Sequence, residues 1–151
     1  MRTVPHSLAQ GEITLQSRRK RNDTWTLKVK KEIGADDIDG IEELYMYNMK
    51  EGDNLIVDFR AECSIPQKNC ISFLIRAHAW VALRGGFMVV VPQQQLRQKL
   101  AIMGLIEIFH TAPSLIRADK TIRRLKKSRI AAPPRKGGFF YSKTKEDNSA
   151  I

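Results

Sequence analysis

The chain has 151 residues, which predicts one domain with tails and a core that needs no covalent cross-links. Its two cysteines, Cys63 and Cys70, are too few for a disulfide framework and have no histidine close in sequence, so we expect neither an extracellular scaffold nor a structural metal site. The sequence contains no run of about 18 apolar residues, so we expect a cytoplasmic protein without a membrane span. The formal net charge of +10 is concentrated near the C-terminus, because residues 118–151 carry ten basic and three acidic side chains.

Two alternating segments begin the predicted domain. Residues 12–18 and 24–30 alternate apolar and polar side chains, as half-buried strands do, and residues 19–23 have the composition of a turn. These segments are predicted to form a β-hairpin. Residues 1–11 lack such a pattern and are predicted to be a flexible N-terminus.

A helix is predicted between Gly34 and Gly52. Its acidic residues Asp36, Asp37 and Asp39 lie in the first turns, where the helix dipole stabilises negative charge, and this explains them better than a cation site does. The apolar residues that share one face of this helix are Ile38, Ile41, Tyr45 and Met49, with Leu44 at its edge.

The rest of the chain alternates strands with helices. The strands are predicted at 54–60, 87–91 and 105–111, and the helices at 69–84, 93–103 and from Ser114 onward. This pattern predicts an α/β domain in which one mixed β-sheet of about five strands is covered by about four helices, in the order ββαβαβαβα. From residue 130 the periodicity is lost, so residues 12–129 are predicted to be the domain and 130–151 a basic flexible tail.

Several short motifs occur in a fixed order within residues 55–109: LIVDF, LIRAH, RGGF, VVVP and LAIMGL followed by IF. In this order and at this spacing they resemble the STAS domain, the fold of bacterial anti-sigma factor antagonists. The resemblance covers about residues 12–128. It implies the mixed sheet described above and a role in transcription regulation through protein binding.

The junction between the third strand and the second helix reads SIPQKNCIS, at 64–72. In anti-sigma factor antagonists, a Ser or Thr at this junction, beside an Asp, is phosphorylated by a cognate anti-sigma kinase. Here the acceptor position falls on Lys68 when counted forward from Ile65 and on Asn69 when counted back from Arg76. Neither residue can form a phosphate ester, and the adjacent acid is also missing. The resemblance therefore implies a partner-binding surface without the usual phosphoacceptor.

Two serines flank the position of the missing phosphoacceptor. Ser64 and Gln67 match a capping box, which we favour over a modification site. Ser72 is expected one turn inside the helix, in a surface or packing role. Lys68 is no phosphoserine mimic, because a phosphate brings a charge of about −1.5 to −2; it either meets an acidic group on a partner or is simply exposed. The residues that the resemblance places at the partner interface are Ser64, Gln67, Lys68, Asn69, Ser72 and Arg76.

Two further binding functions stay open. The protein partner is expected to be an anti-sigma factor, a kinase-like protein or, if the chain is a STAS subunit of a lipid- or anion-transport complex, a transporter subunit. The basic last helix and tail favour binding to nucleic acid or an anionic surface, with a merely solvated tail as the alternative. The cations predicted for this second surface are Arg117, Lys120, Arg123, Arg124, Lys126, Lys127, Arg135 and Lys136.

No pattern in the sequence is typical of an enzyme. His6, His78 and His110 have no nucleophile or carboxylate arranged beside them, and His78 and His110 are each expected to be a packed or surface imidazole. We therefore expect a non-enzymatic protein that needs no cofactor and no metal ion.

Overall fold

Five strands form one mixed sheet in the order β1-β2-β3-β4-β5. The computed structural model of the protein describes residues 13–18, 21–61 and 68–131. Strand β1 is antiparallel to β2, and β2 to β5 run parallel to one another. The strands are β1 (Ile13–Arg18), β2 (Arg21–Val29), β3 (Asn54–Asp58), β4 (Met88–Val91) and β5 (His110–Thr111). The helices of the described residues are α1 (Ala35–Asn48), α2 (Lys68–Leu83), α3 (Gln94–Ile102) and α4 (Leu115–Ala131). The predicted fold class and element order are confirmed.

Some predicted boundaries differ from the structure. Strand β2 begins at Arg21, inside the predicted turn, because Arg21 still pairs with Arg18 of β1. The last predicted strand, 105–111, is shortened to two residues, since the backbone N–H groups of Ile108 and Phe109 both donate to the Leu105 carbonyl at 3.0 Å and close turns. Helix α4 continues to Ala131, past the predicted domain end at 129.

The sheet is covered on both faces. Strands β3 and β4 are buried along their whole length. Leu55 and Val57 of β3 face the cluster that also contains the buried sides of α1, α2 and α3. Ile56 lies on the opposite face and packs with Ala118 and Ile122 of α4. Because side chains of a strand alternate between faces, α4 lies on the side opposite the other three helices of the described residues.

The C-terminal half of α4 is tied to the sheet by cations that point inward. Lys126 forms an ion pair with Asp23 at the beginning of β2. The Arg129 guanidinium lies 4.3 Å from the centre of the Phe87 ring and donates to the Gly85 carbonyl at 2.6 Å. Lys126, which the sequence assigned to the polyanion surface, therefore has a partner within the fold.

A close backbone contact fixes the loops before β3 and β4. The Gly52 N–H donates to the Arg84 carbonyl at 2.8 Å, and the Asn54 side chain accepts from the Phe87 N–H at 2.9 Å. A Cβ atom on Gly86 would lie 1.9 Å from the backbone oxygen of Asp53. Only glycine permits this approach without moving one of the two loops.

We therefore expect Gly86→Ala to lower the free energy of unfolding by about 3 kcal/mol, because a backbone oxygen cannot yield as a flexible side chain can. Urea unfolding followed by circular dichroism measures this loss. Gly34→Ala is the matched control, since a Cβ there comes no closer than 3.4 Å to any atom of Asp37. It is expected to cost less than about 1 kcal/mol. Equal losses in both variants would contradict the steric requirement for glycine at position 86.

The Asp23–Lys126 pair predicts an acid-dependent loss of stability. Partial burial acts to raise the pKa of Asp23, but the hydrogen bond and charge of Lys126, aided by the Thr24 hydroxyl, outweigh it, so this pKa lies below its ordinary value. A lowered carboxyl pKa stabilises the fold above the unfolded pKa and ceases to do so as the pH falls through the folded pKa. Asp23→Asn and Lys126→Gln should each lower stability at pH 7, and their difference from the parent should shrink between about pH 5 and pH 2. A difference that stays constant in acid would rule out this linkage.

Candidate partner-binding site

The loop after β3 lies at the carboxyl end of a central parallel strand, where open α/β sheets place their sites. Asp58 ends β3 and is 3% exposed. Its Oδ1 accepts from the Arg60 backbone N–H and from Arg60 Nε, both at 3.0 Å, and its Oδ2 accepts from Arg60 Nη2 at 3.2 Å. The hydrogen bond to this carboxylate raises the pKa of Arg60. Both carboxylate oxygens of Asp58 are thus hydrogen-bonded to Arg60 in the turn after β3, so Asp58 is not positioned to act as an acid or a metal ligand.

Helix α2 follows the junction and is oriented by its apolar side. Its buried residues are spaced three and four apart, as a helix packed against a sheet requires. Burial of this side leaves the opposite side facing outward for the whole length of the helix. The buried residues are Cys70, Ile71, Phe73, Leu74, Ala77 and Val81.

The outward side of α2 forms an exposed stripe with little charge. Ile75 is 47% exposed and Leu83 is 87% exposed. Lys68 and Ser72 precede Ile75 on the same side at helical spacing, and Ala79 follows it, all three being exposed. We call these five residues the α2 stripe. It combines apolar side chains with a cation at the end nearest the junction.

Arg76 lies beside the α2 stripe but is anchored to α1. Its Nη2 donates to Glu42 Oε1 at 2.8 Å. Glu42 is buried, whereas the Arg76 side chain is 56% exposed. The buried Tyr45 lies close to this pair, and burial, followed by the Glu42 charge, raises the pKa of its hydroxyl. The tyrosine is therefore a neutral packing group at any pH the protein meets.

Contacts between aromatic rings also join α1 to α2. The Tyr45 ring centre lies 6.4 Å from that of Phe73 and 5.2 Å from that of Trp80, with tilted planes. The Arg84 guanidinium lies 4.7 Å from the Trp80 ring centre, within the range of a cation–π contact. These contacts fix how α2 lies against α1, and so fix where the α2 stripe points.

Solved structures with a similar fold decide the fold family. A crystal structure of a Thermotoga maritima protein provisionally assigned as an anti-sigma factor antagonist aligns with a TM-score of 0.62 and 14% identity, over 76% of this chain and 97% of that one. A crystal structure of an anti-sigma factor antagonist from Mycobacterium paratuberculosis aligns with a TM-score of 0.59 and 18% identity, over 76% and 97%. The chain has a STAS-like fold.

A solution NMR structure of the same Thermotoga protein agrees, with a TM-score of 0.58 and 12% identity over 80% of this chain and 88% of that one. No family model matches the sequence, and no curated protein does. The resemblance that the motifs carried is confirmed for the fold, and at these identities the likeness extends to the fold alone.

The STAS-like fold brings some of the predicted interface residues together. Lys68 and Asn69 are the first two residues of α2, exposed and half-buried respectively, and Ser72 is exposed one turn further. Arg76 follows on the same helix but is engaged with Glu42. The remaining two predicted interface residues, Ser64 and Gln67, lie outside the described residues.

Sequence reasoning missed the apolar part of the α2 stripe and the partner of Arg76. Ile75 and Ala79 follow Lys68 and Ser72 at intervals of three and four, so a helical projection of 68–83 identifies them. Glu42 gave no such signal, because an acid inside a helix is most often solvated and only the packing of α1 on α2 buries it.

Neither described histidine forms a catalytic arrangement. The His78 ring packs edge-on against Phe109 with centres 5.4 Å apart, so it is a packed imidazole. Burial lowers the pKa of both histidines, with the charge of His110 adding to the effect at His78 and that of Arg124 at His110. Among the described residues, no three metal-ligating side chains cluster, and no helix is both long and apolar enough to cross a membrane.

We expect the Glu42–Arg76 pair to be energetically coupled. Arg76→Met leaves the buried Glu42 carboxylate without its cation and should cost about 1–2 kcal/mol, a range discounted for the exposure of the arginine. In a double-mutant cycle with Glu42→Gln, the coupling should be about 1 kcal/mol. The control cycle uses the looser Asp119–Arg123 pair at 3.8 Å on α4, where about 0.5 kcal/mol or less is expected. The two pairs have similar exposure and differ mainly in distance, so equal coupling in the two cycles would show that the closer contact of Glu42 with Arg76 has no effect.

Proposed function

We propose that this chain is a non-enzymatic regulatory module that binds a protein partner through the α2 stripe and the junction before it, in the manner of an anti-sigma factor antagonist. The observation that carries the proposal is the exposed α2 stripe, which begins at the carboxyl end of the central strand of a STAS-like fold. The names of the Thermotoga and Mycobacterium proteins support this role. Ser64 and Gln67, which precede α2, are proposed as part of the same surface.

The chemistry of the stripe suits a protein partner better than a small ligand. Helix α2 has 16 residues, which corresponds to roughly 24 Å, and its stripe offers a linear set of anchors for a groove or a second helix. Ile75 lies near its middle, where the apolar anchors of an interface contribute most to affinity. Lys68 lies at one end, where a charge mainly sets the association rate and the choice of partner.

The same surface is proposed to lack the phosphorylation switch. The two positions aligned with the phosphoacceptor, Lys68 and Asn69, have no hydroxyl, and the nearby Asp58 is held by Arg60. Without a hydroxyl at these two positions, a kinase cannot add there the negative charge that would abolish binding. Control of this chain would then depend on the partner or on the amount of protein.

Affinity purification of the full-length chain from its native cells, followed by mass spectrometry, is expected to recover a protein partner. Ile75→Gln should weaken that complex about tenfold or more, because it places an amide where the partner requires apolar surface. Ile116→Gln is the matched control, since Ile116 is 68% exposed on α4 at the opposite face of the sheet. Recovery of no protein, or equal weakening by both variants, would contradict the proposed surface.

The complex with the partner is also expected to survive incubation with ATP, including when that partner is a kinase-like protein. Intact-mass measurement should then find no added phosphate on the chain, and the affinity should be unchanged. Phosphate on Ser64 or Ser72 that abolishes binding would refute the absence of a switch while leaving the surface itself intact. A partner that proves to be a transporter ATPase or permease would identify the transport-complex alternative.

A further inference from the structure

Helix α4 carries an excess of positive charge on its outward side. Its sequence, LIRADKTIRRLKKSRIA, contains seven basic residues and one acidic residue, Asp119. Lys126 and Arg129 are engaged with the sheet side of the molecule, as described above. The other five cations are exposed, and we call them the α4 basic face: Arg117, Lys120, Arg123, Arg124 and Lys127.

The α4 basic face is elongated, as a surface that binds a linear polyanion must be. Arg117 and Lys127 are ten residues apart, which places the ends of the face roughly 15 Å from each other along the helix. Between them, the side chains of Lys120, Arg123, Arg124 and Lys127 line one open depression. The single acid of α4 offers little compensation, since one carboxylate stands against seven cations and Asp119 Oδ2 lies 3.8 Å from Arg123.

The opposite face of the sheet has no comparable excess of positive charge. Helix α1 has no basic residue, and Asp36, Asp39 and Glu43 are exposed on it. Because α2 and α3 lie on the same face as α1 and carry two basic residues each and no acid, the three helices together are nearly neutral, whereas α4 has six more basic than acidic residues. Such a charge distribution turns the α4 basic face toward an approaching polyanion and turns α1 away from it.

The apolar side of α4 decides between a membrane and a nucleic acid. A helix that binds at a lipid interface must insert an apolar side between the headgroups. The apolar side of α4 is already used, because Ala118 and Ile122 are fully buried against Ile56, Val89 and Val91. An α4 that keeps its place on the sheet can therefore offer an anionic surface its cations and, among its described side chains, one exposed apolar group, Ile116, which is too little to form the apolar side of an interfacial helix.

The side chains of α4 also decide between single and double strands. Proteins that grip single strands without sequence preference stack bases on aromatic rings beside the cations. Helix α4 contains no aromatic residue, so it has no platform for an unpaired base. It also has no exposed Asn or Gln to read a base edge. What remains is a row of lysines and arginines, which is suited to the phosphates of a duplex.

We propose that the α4 basic face binds the phosphate backbone of double-stranded nucleic acid without sequence preference. The two cations of α4 that face the sheet hold the helix in place during binding, and the five outward cations replace condensed counterions. Because the α2 stripe lies on the other face of the sheet, a duplex on α4 leaves that stripe accessible.

The test measures the fluorescence anisotropy of a labelled random-sequence DNA duplex with the full-length protein at several salt concentrations. Each phosphate contact adds about −0.9 to the slope of log affinity against log salt concentration, so five contacts give about −4.5. Lys120→Gln with Arg124→Gln should reduce the slope by about 1.8 and weaken binding roughly tenfold or more near 0.1 M salt.

The matched control is Arg97→Gln with Lys99→Gln, which removes the same charge from exposed positions on α3. Its slope and affinity should stay near those of the parent, and circular dichroism should show that both double variants are folded. Equal loss in the two double variants would overturn the proposal, because the effect would then reflect net charge alone. A duplex slope that survives the α4 double variant would also overturn it, since other cations of the chain would hold the DNA.

Competing polyanions provide the remaining outcomes. A single strand of the same sequence and vesicles containing phosphatidylserine should each bind more weakly than the duplex and respond less to the α4 double variant. Tighter binding to either of them, or no binding to the duplex, would overturn the assignment. These measurements involve no protein partner, so their outcome is independent of the function proposed for the α2 stripe.

Discussion

Strands β3 and β4 are buried on both faces, and the need to cover them from both sides determines how the rest of the molecule is arranged. On one face, three helices bury their apolar sides against Leu55, Val57 and their neighbours. On the other face, α4 packs Ala118 and Ile122 against Ile56, Val89 and Val91. The side of α4 turned away from the sheet lies in solvent. The burial of β3 and β4 therefore also determines which side chains of α2 and α4 remain outside to meet partners.

The charged residues of the described domain divide into those used by the fold and those left outside. Asp58 is satisfied by Arg60, Glu42 by Arg76, and Asp23 by Lys126. A buried carboxylate requires such a partner, because an unpaired charge in an apolar environment is strongly disfavoured. Two of these pairs engage groups that the sequence pattern assigned to an interface. These groups are Arg76 and Lys126, and each has a partner within the fold.

The two proposed surfaces are separated by the thickness of the sheet. The α2 stripe has mixed apolar and polar character and one cation, whereas the α4 basic face has charge and no aromatic residue. Different forces act on them, since apolar burial depends little on salt and phosphate contacts depend on it steeply. A module of this design can bring a protein partner to a polyanion without either ligand displacing the other.

The sequence alone determined the element order, the two strands of the buried core and the side of α1 that faces it, because these follow from local periodicity. Through its resemblance to the STAS domain it also predicted that the phosphoacceptor position falls on Lys68 or Asn69. It could not determine that residues 105–108 close into turns, since backbone bonds to the Leu105 carbonyl compete there with strand pairing. Nor could it separate Lys126 from the outward cations of α4, or find Glu42 as the partner of Arg76. Those assignments depend on which residues distant in sequence come together, and only the packing of helices on the sheet decides that.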